Sequence, residues 1–87
     1  MKKSKSQVSI QNFIINKLKQ KNKRYSKLTV NSHLFEQGVD SLDFFSLIFD
    51  VESKYKIKIN QKLYLKLNTI KKFVKYLESK KLYHSSQ

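Results

Sequence analysis

The segment that begins at Ser41 carries two apolar stripes at helical spacing, and no other feature limits the fold of this chain so tightly. Phe44, Leu47, Ile48, Val51 and Tyr55 follow one line close to i, i+3, i+4, i+7, and Leu42, Phe45 and Phe49 follow another. The chain has 87 residues, enough for one small domain and one modest core. A helix in such a domain buries only part of its circumference. The Phe44 stripe is therefore expected to face the core, and the Leu42 stripe to stay at least partly exposed.

The start of this helix is marked in the sequence. Asp40 is a good N-cap, and Asp43 stands at the third helical position, as in a capping box whose usual Glu or Gln is replaced by the shorter Asp. Val39 and Phe44 occupy the staple positions on either side of the cap. The helix is expected to end near Lys54.

Upstream, Val8, Phe13, Ile14, Ile15 and Leu18, with Ile10 less clearly, predict a helix over about 7–20 with Ser6 as its cap. The charged run 20–26 closes it. A long connection to Val39 follows, anchored by Leu28, Val30, Leu34 and Phe35; connections of that length tend to be functional. Downstream, Lys56-Ile57-Lys58-Ile59 alternates like a strand but has no second strand to pair with, so it reads as an extended loop with both Ile side chains tucked in. Asn60 starts a short helical turn carrying Leu63, Tyr64 and Leu67, and Asn68 is the expected cap of a last amphipathic helix with Ile70, Phe73, Val74 and Leu77. The sum is all-α: a small four-helix bundle of three main helices and one short one, with a long first loop. Residues 1–6 read as a basic tail, 7–82 as one domain and 83–87 as a polar tail.

Composition removes several kinds of chemistry. There is no Cys, so disulfides and thiolate metal sites are excluded, and His33 and His84 are isolated and read as surface residues. No apolar run approaches a membrane span, and no continuous apolar stretch follows the basic N-terminus, so neither a membrane helix nor a signal peptide is expected and the cytoplasm is the default compartment. The net charge of +13 points toward anionic partners, yet Arg24 is the sole Arg, whereas paired reading of phosphates and guanines favours Arg. The charge is also unevenly placed. Residues 34–53 hold Glu36, Asp40, Asp43, Asp50 and Glu52 with no Lys or Arg, and every basic residue lies outside that stretch, opposed there by Glu78 alone.

Ser41 stands inside this acidic island at the mouth of the helix. Its amide has no intrahelical partner, and the positive end of the helix dipole favours an anion there. A phosphodiester on Ser41 suits the position, while repulsion from Asp40 and Asp43 keeps it from being gripped. Gly38, the one Gly in the chain, lets the preceding loop turn sharply and lets a modifying enzyme approach. Nucleophilic catalysis by Ser41 needs a base; His33 is the nearest in sequence, and no Gly-x-Ser-x-Gly elbow is present. Taken alone, Asp-Ser-Leu-Asp is an ordinary helix start.

The surrounding residues change that balance. LFEQGVDSLDFFSLIFDVESKYKIKIN resembles the acyl carrier protein family and the broader class of phosphopantetheine-bearing carrier domains, in Glu36, Gly38, Asp40-Ser41-Leu42, the apolar helix, Tyr55 and Ile57-Lys58-Ile59. The match extends to Asn68-Thr69-Ile70 and covers 34–77, with the first helix alike in pattern and position. The resemblance implies the same four-helix fold, no catalytic activity, and attachment of the 4'-phosphopantetheine arm of coenzyme A to Ser41 by a phosphopantetheinyl transferase. Asp40, Leu42 and Gly38 frame that site. The arm's thiol then carries an acyl or aminoacyl group as a thioester between a loading enzyme and an acyltransferase or synthase, raising its effective concentration at each. The resemblance further implies docking through Leu42, Phe45 and Phe49, with Asp40, Asp43 and Asp50 meeting basic patches in weak, salt-sensitive contacts.

The departures from the family pattern also carry information. Lys56 replaces a usual Gly, Asn60 a usual Pro, and Lys58, Gln61, Lys62 and Lys66 fill positions that are often acidic. These changes point away from housekeeping fatty acid synthesis and toward a specialised pathway, such as polyketide or nonribosomal peptide assembly. Phe44 stands where a small residue is usual, which implies a narrowed interior and a short acyl or aminoacyl cargo. The rival reading is a basic helical module for nucleic acid or anionic membrane, built on Lys71, Lys72, Lys75, Lys80 and Lys81 and on the 17–27 lysine run. The lysine-dominated composition and the acidic central helix argue against nucleic acid and leave peripheral membrane contact open, and a monomer is expected.

Overall fold

A computed structural model describes residues 5–85, with side chains described for 7–80. Three α-helices and two short 3₁₀ helices follow one another: α1 (Lys5–Lys21), a 3₁₀ turn (Lys23–Lys27), α2 (Ser41–Tyr55), a second 3₁₀ turn (Gln61–Lys66) and α3 (Ile70–Ser85). No strand occurs among the described residues. The all-α bundle expected from periodicity is the fold observed.

The helices α2 and α3 turn the predicted side inward, and α1 does so in part. On α1 the buried line is Ile10, Ile14 and Leu18, spaced four apart. Ile10 is therefore fully in the core, while Val8 lies 42% exposed on the far side of the same helix. On α2, Phe44, Leu47, Ile48 and Val51 are buried, and Tyr55 packs half-buried with its ring 5.8 Å from Phe13. On α3, Ile70, Phe73, Val74 and Leu77 close the core against α1. Burial of the Tyr55 phenol raises its pKa above the ordinary value of 10.0, because the ionised form loses hydration.

Helix ends depart from expectation in three places. α1 begins at Lys5, so Ser6 lies inside the helix and is not its cap, and Lys5 and Ser6 do not belong to a tail. No Pro or Gly interrupts that stretch, so nothing stops the helix earlier. For the same reason α3 continues to Ser85, past the expected end at 82. The side chain of His84 lies outside the described residues. The cap of α3 is Thr69 and not Asn68: Thr69 Oγ1 accepts the Lys72 N–H at 3.1 Å, and the Thr69 carbonyl accepts the Phe73 N–H at 3.2 Å. Asn68 serves the loop instead, its carbonyl accepting the Leu34 N–H at 2.8 Å.

That bond and a second one, from Lys71 N–H to the Val30 carbonyl at 2.9 Å, tie the long connection to the start of α3. Leu34 is buried, and Leu28, Val30 and Phe35 pack half-buried against the core, as their apolar character predicts. The 57–59 segment has no regular secondary structure and pairs with no strand among the described residues. Lys56 caps α2 in the left-handed region at φ 58°, and Glu52 then holds the chain through its carbonyl, which accepts from Lys56 and Ile57, and through its carboxylate, which accepts the Ile59 N–H at 2.8 Å. Ile59 is buried and Ile57 half-buried. Asn60 caps the second 3₁₀ turn by accepting the Lys62 N–H at 2.9 Å.

Candidate functional site

The loop before α2 reaches Ser41 through a defined turn. Val39 N–H bonds to the Leu34 carbonyl at 2.9 Å and Gly38 N–H to the Phe35 carbonyl at 3.1 Å, the paired closure of a Schellman motif. Gly38 occupies its left-handed position at φ 93°, where a side chain is strained. A Cβ placed on Gly38 meets nothing within 4 Å, so the demand for Gly is conformational and the surface before Ser41 is open. Val39 and Phe44, at the staple positions on either side of the cap, both bury their side chains in the core.

Asp40 caps as predicted: its Oδ1 accepts the Leu42 N–H at 2.7 Å. Asp43 closes the other half of the box indirectly. The Asp40 N–H donates to the Tyr25 hydroxyl at 3.0 Å, and that hydroxyl donates to Asp43 Oδ2 at 2.6 Å. The phenol bridges the gap left by using Asp where a Glu would reach back directly. Tyr25 is 3% exposed and comes from the first 3₁₀ turn, where Asn22 caps the backbone and Arg24 stacks on the Tyr25 ring at 5.4 Å. Arg24 also donates through Nη2 to the Gly38 carbonyl at 2.8 Å. Neither residue was marked by periodicity: Tyr25 lies in a charged run, and its bonding to Asp40 and Asp43 spans 15 and 18 positions with no local signature. An aromatic isolated among lysines is the one available hint.

Ser41 is the first residue of α2 and is exposed. The first intrahelical bond runs from Phe44 N–H to the Asp40 carbonyl, and Asp40 takes the Leu42 amide, so the Ser41 and Asp43 amides remain at the positive end of a 15-residue helix with no intrahelical acceptor. His33 is engaged elsewhere, its Nδ1 accepting the Glu36 N–H at 3.3 Å. Among the described residues no cluster of His, Asp and Glu could hold a metal ion.

A family model for the phosphopantetheine attachment site matches residues 12–77. The chain belongs to that family. No curated protein and no solved structure matches the chain. Members are carriers of a covalently attached 4'-phosphopantetheine group. The site described above suits such a group, since an exposed hydroxyl, open space over Gly38 and unpaired amides at a helix start together accommodate a phosphodiester without enclosing it.

Around this point the carrier domain presents an apolar face. Leu42 is 76% exposed, Phe49 65%, Phe45 43% and Leu65, from the second 3₁₀ turn, 77%. A groove of about 700 Å³ runs between α2 and that turn, lined by Leu42, Phe45, Ser46, Phe49, Gln61 and Tyr64. A second groove of about 410 Å³ opens beside Ser41 against Phe35, Phe45, Tyr64 and Leu65. Beneath it Phe44 is 1% exposed, with the rings of Phe35, Phe73 and Tyr64 at 4.8, 5.9 and 6.5 Å. Asp43 and Asp50 are half-buried, and Asp50 is paired with Lys21 at 2.7 Å, whose ammonium also donates to Ser46 at 2.9 Å.

Proposed function

We propose that Ser41 is the residue that bears the 4'-phosphopantetheine arm, and that this chain is a non-catalytic monomer that holds an acyl or aminoacyl group as a thioester and presents it to partner enzymes of a specialised biosynthetic pathway in the cytoplasm. The observation that carries this reading is an exposed serine at the start of α2, held on a doubly braced loop and with His33, the nearest candidate base in sequence, bonded elsewhere. When bound, the arm supplies a thiol on a long tether. The chain's own residues fix the base of that tether, offer the helix dipole to its phosphate, and keep Asp40 and Asp43 close enough to prevent a tight grip. Leu42, Phe45 and Phe49 are the apolar contacts for the phosphopantetheinyl transferase, the loading enzyme and the acyltransferase or synthase.

The aromatic packing around Phe44 supports a short acyl or aminoacyl cargo, because a long alkyl chain has to displace a ring already packed with four others. The test of attachment is intact mass after incubation with coenzyme A, Mg²⁺ and a broad-specificity phosphopantetheinyl transferase. One phosphopantetheine is added to the native chain and none to Ser41→Ala; an arm on the Ser41→Ala variant, or none on either chain with several competent transferases, overturns the assignment. Lys71, Lys72, Lys75 and Lys80 are exposed on α3, so nucleic-acid gel shifts and liposome sedimentation are run beside it. The carrier reading expects neither to respond.

A further inference from the structure

Exposed cations border the apolar face beside the acids that the sequence of α2 places there. All three acids of that helix bond within the chain, but only Asp50 is neutralised by a cation, and Asp43 and Glu52 accept from neutral donors and keep their charge. Asp43 accepts from Tyr25, Asp50 is bonded to Lys21, and the Glu52 carboxylate accepts the Ile59 N–H. Lys56 and Lys58 line the groove that shares Phe49, with Glu52 as the acid on that wall. Lys62 is exposed one 3₁₀ turn before Leu65 and so lies on the same side of the second 3₁₀ turn. None of these three lysines makes an ion pair among the described residues. An apolar strip thus runs from Leu65 and Leu42 through Phe45 to Phe49, with cations at both ends.

We propose that this face docks a protein partner whose contacting element is an apolar ridge flanked by carboxylates, and that Lys58 and Lys62 select it. The proposal rests on the carrier reading for its biological role, but it concerns the bare protein surface and is testable without the arm. Charge complementarity at such a rim chiefly sets approach rate and partner choice, while the apolar strip supplies the retained contact. A net charge of +13 further favours acidic partners at long range, and Glu36, Asp40, Asp43 and Glu52 are the local acids that oppose it.

The test uses two synthetic amphipathic helical peptides with the same Leu and Phe stripe, one flanked by Glu and the other by Lys, titrated into the ¹⁵N-labelled protein. The Glu-flanked peptide is expected to shift the Leu42, Phe45, Phe49 and Leu65 amides and to bind about tenfold more tightly at low salt, the gap closing as salt screens the rim. Lys58→Glu with Lys62→Glu reverses the preference, whereas Lys71→Glu with Lys75→Glu, an equal change of net charge on α3, leaves it standing. Equal loss in both variants means attraction by overall charge, and overturns the proposal. So do tighter binding of the Lys-flanked peptide, shifts centred on α3, concentration-dependent self-association through the strip, or a response of the strip to phosphatidylglycerol vesicles in place of the peptide. A failed arm-attachment assay together with a selective peptide response removes the carrier reading and leaves the surface assignment intact.

Discussion

Replacing Tyr25 by Phe removes a single oxygen and breaks both bonds that join the first 3₁₀ turn to the start of α2. The hydroxyl accepts from Asp40 N–H at 3.0 Å and donates to Asp43 Oδ2 at 2.6 Å. A neutral hydrogen bond contributes about 0.5–1.5 kcal/mol and one to a charged group about 1.5–3 kcal/mol. Asp40 is exposed and Asp43 half-buried, so water replaces part of each bond and the lower ends apply. The expected loss is about 2 kcal/mol, a large share of the roughly 5–10 kcal/mol available to a small domain. For a chain of this size it corresponds to a fall in Tm of about 10 °C.

The bridging role makes a sharper prediction than the loss alone. Asp43→Glu adds the methylene that lets a third-position carboxylate reach the cap amide directly. In the Tyr25→Phe background it is expected to restore about 1 kcal/mol. In the native background the Asp40 amide is already taken, and the same change gives no gain. Urea unfolding followed by circular dichroism measures the double-mutant cycle, and hydrogen exchange at Asp40 reports the bond itself. A loss below about 0.5 kcal/mol for Tyr25→Phe, or an equal benefit from Asp43→Glu in both backgrounds, refutes the bridged capping box.

Four further outcomes follow from particular residues. Gly38→Ala loses about 1 kcal/mol from its φ of 93° alone, whereas Lys56→Gly, which relieves a non-Gly residue at φ 58°, gains about 1 kcal/mol; chemical denaturation reads both signs. Phe44→Ala destabilises by about 3–5 kcal/mol and, where it still folds, lets a long acyl chain enter: core amides such as Phe73 and Leu47 shift in the long-chain acyl form of the variant and stay unmoved in that of the native protein. Because burial raises the Tyr55 pKa, the unfolded chain releases that proton first, so the contribution of the neutral phenol is complete below pH 10.0 and declines as pH rises beyond it. Tyr55→Phe should remove that part of the alkaline decline, seen as a shallower loss of stability with pH than in the native chain.

The bundle was readable because its information is periodic. The Phe44 stripe is buried from Phe44 to Val51 and half-buried at Tyr55, the Leu42 stripe is exposed, and α3 shows the same regularity. Caps were readable where one side chain meets its own helix, as for Asp40 and Asn60. Asn68 and Thr69 show the limit: both are capping types, one residue apart, and only the backbone path decides which oxygen faces the Lys72 amide. Ile10 stands out weakly in the sequence because α1 has a mixed polar sequence and its buried line is narrow. At the site, position and capping came from local sequence, but the bracing by Tyr25 and Arg24 did not. Those bonds join residues brought together by the long connection, and a one-dimensional pattern holds no record of such a meeting.

The acidic island acquires a second cause from these contacts. Read along the chain, a twenty-residue stretch free of Lys and Arg suggests selection for a negative docking surface. In the folded protein four of its five acids accept from groups of this same chain: the Leu42 amide, the Tyr25 hydroxyl, the Lys21 ammonium and the Ile59 amide. A lysine at any of the four positions would set a donor against a donor and leave the original group unpaired. The need to close α2 at both ends and to fasten it to α1 is therefore sufficient to exclude positive charge from those places. Those four acids then have a structural reason that is independent of any partner. The exposed cations beside Phe49 and Leu65, which have no comparable internal task, become the charges free to choose one.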